Sequence, residues 1–130
     1  MTDAETPTRV SIAAGPLVGP VLRRVVGMFA ARADLPLDRL DDAVLVADVV
    51  AAHAPAHVAE ETVEVALASS RRALDLRVGP FRPGGGRALV VEAAVPGVGN
   101  VIEQLADGLE IETEGDCEYL RVRLAYAGSD

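Results

Sequence analysis

Apolar positions along this chain follow two rhythms, alternation and a helical repeat of about 3.6 residues, and the switches between them delimit the elements. Arg9–Ala13 (RVSIA) alternates and predicts a short strand. Gly15-Pro16 and Gly19-Pro20 punctuate the next stretch, and a helix is expected from near Pro20 to about Ala33. Leu22, Val25, Val26 and Phe29 form one face of it, with Arg23, Arg24 and Arg32 elsewhere. A second helix is expected over Arg39–His53, with Asp38 as its cap and Asp41 and Asp42 in its first turn, where negative charge suits the dipole. Leu40, Val44, Ala47 and Ala51 make its core stripe, while Leu45, Val46 and Val49 form a second apolar face. Such a helix is expected to be covered on both sides, by the sheet on one and by a pocket, lid or partner on the other.

The second half of the chain is rich in alternation. Thr62–Ala68 and Ala73–Val78 predict a hairpin about the turn Ser69-Ser70-Arg71-Arg72, and Pro55 closes the helix before it. Gly79–Arg87 (GPFRPGGGR) is a glycine- and proline-rich loop, and Ala88–Ala94 a short helix. Val98, Val101, Ile102 and Leu105 then share one helical face, and Gly108 stops that helix. Leu109, Ile111 and Thr113 alternate with Glu110 and Glu112, and a last strand covers Tyr119–Leu124. In it Leu120, Val122 and Leu124 face the core while Arg121 and Arg123 are solvated. The order of strand, two helices, hairpin, loop, short helix and hairpin predicts an α+β fold, a two-layer α/β sandwich with a mostly antiparallel sheet and helices on one face.

Composition narrows the function classes. The 130 residues suit a single domain, placed over 9–126, with tails at 1–8 and 127–130. A net charge of −8 and arginines in pairs rather than stripes argue against nucleic acid. The lone Cys117 excludes an internal disulfide or a cysteine-rich zinc site, and its acidic surroundings (EGDCEY) disfavour a reactive thiolate. No apolar run approaches the roughly 20 residues of a membrane span, and the acidic start MTDAETPTR does not read as a secretory signal. A cytoplasmic protein without membrane contact is expected.

The candidate chemistry centres on Val95–Thr113. In Pro96-Gly97-Val98-Gly99 the glycines allow a tight turn, and Asn100 can cap the helix after it. A glycine turn that opens a helix can present free N–H groups to phosphate; it can equally be an ordinary tight connection. His53 suits the end of its helix as a cation near the dipole's negative pole, and His57 belongs to the loop beyond Pro55.

These residues, in this order, resemble the histidine-kinase-type ATPase domain (the GHKL or Bergerat fold), and within it the bacterial anti-sigma factor serine kinases. The resemblance covers about residues 9–126. DDAVLVADVVAAH (Asp41–His53) is similar to that family's DDLxLAVxEAxxNAxxH helix, and TVEVALASSRRALDLRV takes the place of its central hairpin. GVGNVIEQLADGLEIETEGDCEYLRVRL resembles its GxGLxLIxxLaDxVeIexxxxGTxVxL ending. The resemblance implies a general base where this chain has Val49, and a magnesium-binding Asn where it has His53. Valine cannot accept a proton, and Asp48 is turned away by about 100° of helix. The adenine-reading Asp falls near Gly79-Pro80-Phe81, and Gly84-Gly85-Gly86 stands as a lid remnant.

The expectation is therefore a regulatory protein-binding module of anti-sigma type, catalytically inactive, with no cofactor. Its partner would be a sigma factor or an anti-sigma antagonist. The alternative is an ATP–magnesium-binding kinase with a displaced site of Asp48, His53, Gly97, Gly99 and Asn100; a small-molecule sensor using the remodelled pocket is a third reading. A homodimer through Arg9–Arg32 is also expected, with Phe29 in the contact and Arg23 and Arg24 at its rim.

Overall fold

A computed structural model describes residues 7–126. Seven strands and four α-helices follow one another as β1 (Thr8–Ala13), α1 (Val18–Arg32), α2 (Leu37–His53), β2 (Thr62–Ser70), β3 (Ala73–Phe81), α3 (Gly85–Glu92), β4 (Ala94–Val95), β5 (Gly99–Asn100), α4 (Val101–Leu105), β6 (Gly108–Glu114) and β7 (Cys117–Ala125), counted among the described residues. Five strands form one antiparallel sheet in the order β1-β2-β3-β7-β6, and β4 pairs with β5 apart from it. The fold is α+β, a two-layer sandwich. The expected antiparallel sheet is antiparallel at every pairing.

Period-two alternation sets which sheet face meets the helices. Val63, Val65 and Leu67 of β2, Leu74, Leu76 and Val78 of β3, and Leu120, Val122 and Leu124 of β7 are all buried. Opposite them lie Glu64, Ala66, Asp75, Arg77, Arg121 and Arg123, at the intervening positions. This open face is held by cross-strand ion pairs: Arg77 Nε to Glu112 at 2.9 Å, Arg121 to Glu112 at 3.1 Å and Arg123 to Asp75 at 2.7 Å. Arg77 also lies 3.7 Å from the Tyr119 ring centroid. Tyr119 in turn sits where Gly79 has no side chain, since a Cβ there would come within 2.6 Å of the ring.

The helices lie side by side over the other face. α1 buries Val18, Leu22, Val26, Phe29 and Ala30, as its repeat predicts. Arg23 and Arg24 are exposed, but Phe29 is only 6% exposed, with Arg32 over its ring at 5.8 Å. The expectation that Phe29 forms a contact with a second copy is corrected here: its phase puts it in the core. α2 begins two residues earlier than expected, with Pro36 in extended conformation (ψ 163°) as the flanking residue. Asp38 is therefore not the cap; it lies in the first turn, its carboxylate accepting from the Arg39 N–H at 3.0 Å.

The buried stripe of α2 is Ala43, Val46, Ala47, Val50 and Ala51. The second apolar face dissolves into this stripe and its margins. Val46 belongs to the core, Val49 is half-buried against it, and Leu45 points outward at 46% exposure. Small residues let α1 and α2 approach, and Arg23 meets Asp48 across the seam at 3.6 Å. No helix among the described residues is long and apolar enough to cross a membrane.

Candidate functional site

With about 100° between successive residues, α2 presents Val44 and Asp48 on one flank and Arg39, Asp42, Val49 and His53 on the other. The first flank packs on α1, whereas α3 and α4 close over the second. This second flank is where the resemblance implies a nucleotide, so its fill decides what it can do.

Arg39 anchors the flank's lower end. Its Nη1 donates to Asp42 at 2.9 Å and to the Leu105 carbonyl at 3.0 Å; its Nε donates to the Ala125 carbonyl at 3.2 Å. Nη2 binds Asp107, whose Oδ2 also accepts from the Ala125 N–H at 2.7 Å. One guanidinium thus ties α2 to the end of α4 and the end of β7. Leu105 O is a helix-terminal carbonyl without an intrahelical partner, which is why a cation is favoured there.

The upper end is tied by histidines. His53 Nδ1 lies 3.3 Å, and His57 Nε2 2.8 Å, from the same Glu92 oxygen. The hydrogen bond from His57, with the charges of both rings, holds the Glu92 carboxyl below its ordinary range. His53 therefore bridges to α3 instead of merely terminating its helix. Among the described residues no group of three or more His, Cys, Asp or Glu is arranged to hold a metal ion.

The glycine run before α3 adopts a defined form instead of a loose loop. Gly84 takes φ 82°, a conformation open to glycine, and the chain turns directly into α3 with Gly85 and Gly86 buried. The Gly84 and Gly86 N–H groups donate to the two oxygens of Glu118, at 2.9 and 3.0 Å. A helix start whose free donors would suit an anion already holds the chain's own carboxylate.

The other glycine turn closes a small hairpin whose second strand leads directly into α4. Gly97 and Gly99, at φ 82° and 103°, close the small β4–β5 hairpin, and the Val98 N–H returns to the Val95 carbonyl at 2.9 Å. Val98, expected on the apolar face of the following helix, is 60% exposed at the hairpin tip. Asn100 does cap α4 as its side chain suggests: its Oδ1 accepts from the Glu103 N–H at 3.1 Å. Its Nδ2 donates to the Val90 carbonyl at 2.6 Å, which fixes the hairpin to α3.

Of the expected nucleotide set, the fold brings little together. Asp48 faces α1 and pairs with Arg23, His53 faces Glu92, and Gly97 and Gly99 lie in the hairpin with Asn100 spent on α4 and Val90. The displaced site of Asp48, His53, Gly97, Gly99 and Asn100 is not a constellation. His53 and His57 share one Glu92 oxygen, and Val49 places a hydrocarbon where the resemblance implies a proton acceptor.

Sequence reasoning overlooked Glu118, Arg39 and Glu92, each an ordinary surface charge by type. Apart from Asp42, three residues from Arg39, their partners lie between 32 and 86 residues away in the chain, so local spacing does not point to them. No family model matches the chain, and no curated protein matches it in sequence.

Proposed function

We propose that this chain is a non-catalytic regulatory domain of the anti-sigma-factor type, acting in the bacterial cytoplasm by holding a sigma factor or its antagonist. The observation that carries this reading is the packing of the Val49 flank. Where the resembled kinases hold nucleotide, this chain has Val49 against its core, His53 bridged to Glu92, and α4 pinned through Arg39. A domain that has lost a proton acceptor there keeps its surface as the means of action. The net charge of −8 favours a partner of basic character and speeds its encounter.

Self-association through the first strand and helix is part of this reading, with a changed contact. Leu17, Val21, Arg24 and Met28 recur at helical spacing along the flank of α1 away from α2, and Leu17 and Met28 are 61% and 57% exposed. β1 beside them is an edge strand. Leu17, Val21 and Met28 take over the role first expected of Phe29, and Arg24 lies among them.

Calorimetry with ATP and magnesium tests the core of the proposal. No binding heat is expected, together with saturable binding of a sigma factor or antagonist by the same preparation. Micromolar nucleotide binding would overturn the non-catalytic reading.

A further inference from the structure

One carboxylate oxygen joins three segments that the sheet does not connect. His53 is the last residue of α2, His57 follows the single turn Ala54–Ala56, and Glu92 is the last residue of α3. His53 Nδ1 and His57 Nε2 both meet Glu92 Oε1, at 3.3 and 2.8 Å. Both imidazoles stand on fixed backbone. His53 ends a seventeen-residue helix. The His57 N–H donates to the Ala54 carbonyl at 3.0 Å, and its carbonyl accepts from the Arg82 N–H at 2.9 Å.

Glu118 holds the start of α3, so Glu92 is the tie at its other end. Beyond Glu92 the chain runs into the β4–β5 hairpin, which hangs on the end of α3. Asn100 Nδ2 donates to the Val90 carbonyl at 2.6 Å, and the Val101 N–H to the Ala93 carbonyl at 3.2 Å. Every residue from Ala94 to Gly99 is exposed. With so little apolar surface buried there, the hairpin opens at low cost and its position follows the end of α3.

The charges that act on the Glu92 carboxyl are those of His57 and His53. Ionisable groups on the neighbouring elements are engaged elsewhere. Arg82 donates from Nη2 to the Ala56 carbonyl, and Glu118 takes the Gly84 and Gly86 N–H groups. On α2, Asp42 pairs with Arg39 and Asp48 with Arg23. Arg87, the other charged residue of α3, is exposed, as are Glu60 and Glu61 beyond Val58, and residues 93–102 carry no charge. Imidazole is the side chain whose charge ordinarily changes between about pH 5 and 8. A neutral ring can still donate one N–H, but a bond between two charged groups is roughly twice as strong.

We propose that His53, His57 and Glu92 form a pH-sensitive latch, which in mild acid holds the end of α3 and the β4–β5 hairpin to the end of α2 and slackens as the imidazoles lose their protons. Closure needs charged rings and an ionised carboxylate together. It is therefore favoured between the titration of the carboxyl and that of the imidazoles, and is lost as pH rises through the latter. The latch stands independently of the anti-sigma reading.

The test is amide hydrogen exchange of the full chain, followed by NMR from about pH 5.5 to 7.5 at constant chloride, each rate being divided by that of an unstructured amide at the same pH. Protection at Ala93, Val98 and Val101 is expected to fall about threefold over this range, the scale of part-exposed charge pairs, while Val65 and Leu76 in the sheet keep theirs. Glu92→Gln keeps an oxygen acceptor without the charge, on a side chain open enough for the fold to persist. It should hold the three amides at the lower protection at every pH. Protection that is constant with pH in the unsubstituted chain, that falls equally in the sheet, or that keeps its pH dependence in Glu92→Gln would overturn the proposal.

Discussion

Glu118 shows how one residue can settle the character of a loop. Its two oxygens receive the Gly84 and Gly86 N–H groups, so a segment that composition marks as flexible becomes the start of a helix. Hydrogen bonds to a charged group contribute about 1.5 to 3 kcal/mol each, and the loss of one partner leaves donors unsatisfied. Glu118→Ala should therefore lower the urea midpoint by an amount equivalent to about 2 kcal/mol, with hydrogen exchange rising first in α3. An unchanged midpoint would mean that water replaces the carboxylate without cost. Gly79 carries a steric constraint of the same weight. A Cβ there would lie 2.9 Å from the Glu118 carbonyl as well as against Tyr119, and the carbonyl cannot swing aside. Gly79→Ala should destabilise the chain by about 1 to 3 kcal/mol and disturb the Arg77–Tyr119 stacking, visible in the tyrosine ring signals.

At the scale of elements, α2 is the member on which the others are fastened. Its Arg39 is 17% exposed and joins three segments, so Arg39→Ala should cost about 2 to 4 kcal/mol, measured by urea unfolding. Arg39→Lys would recover part of this, because one ammonium cannot reach Asp42, Asp107 and two carbonyls in the same plane. Acid should loosen other fastenings. Three carboxyls are held below the ordinary glutamate range: Glu64 by hydrogen bonds from Ser11 and Thr62, Glu92 by His57, and Glu112 by Arg77 and Arg121. In the unfolded chain these groups take up protons at a higher pH than in the folded one. Their contribution is thus complete above the unfolded value and is lost as pH falls through the folded values. Urea midpoints measured from pH 7 down to pH 3 should fall most steeply below about pH 4.5, and Glu112→Gln should flatten that fall.

For the molecule as a whole, the exposed flank of α1 carries the expectation about assembly. If Leu17, Val21 and Met28 meet a second copy, sedimentation at tens of micromolar should show a dimer that Met28→Lys dissociates while the fold persists. Phe29→Ala should instead destabilise the chain by about 3 to 5 kcal/mol, because it empties a core position. A monomer at every concentration, or a dimer indifferent to Met28→Lys, would remove this contact.

The order of the main elements, though not the β4–β5 hairpin, and the α+β class were legible in the amino-acid pattern, because alternation and helical repeat report directly which side of an element avoids water. Leu120, Val122 and Leu124 face the core, Arg121 and Arg123 face out, and Asn100 caps its helix, as side-chain type and spacing alone require. The same local rule failed where the phase was ambiguous: two apolar faces on α2 proved to be one stripe with Leu45 left outside. At Phe29 the rule held, since the repeat groups it with Leu22 and Val26 in the core; what failed was the contact with a second copy assigned to it. The content of the flank around Val49 was beyond any local rule. Glu118 filling the glycine cradle, Glu92 gathering His53 and His57, and Arg39 crossing to Ala125 all join segments far apart in the chain. Charges and hydrogen bonds of that kind are indistinguishable from solvated surface groups until the packing of the sheet and helices brings their partners within about 3 Å, and only the tertiary structure does that.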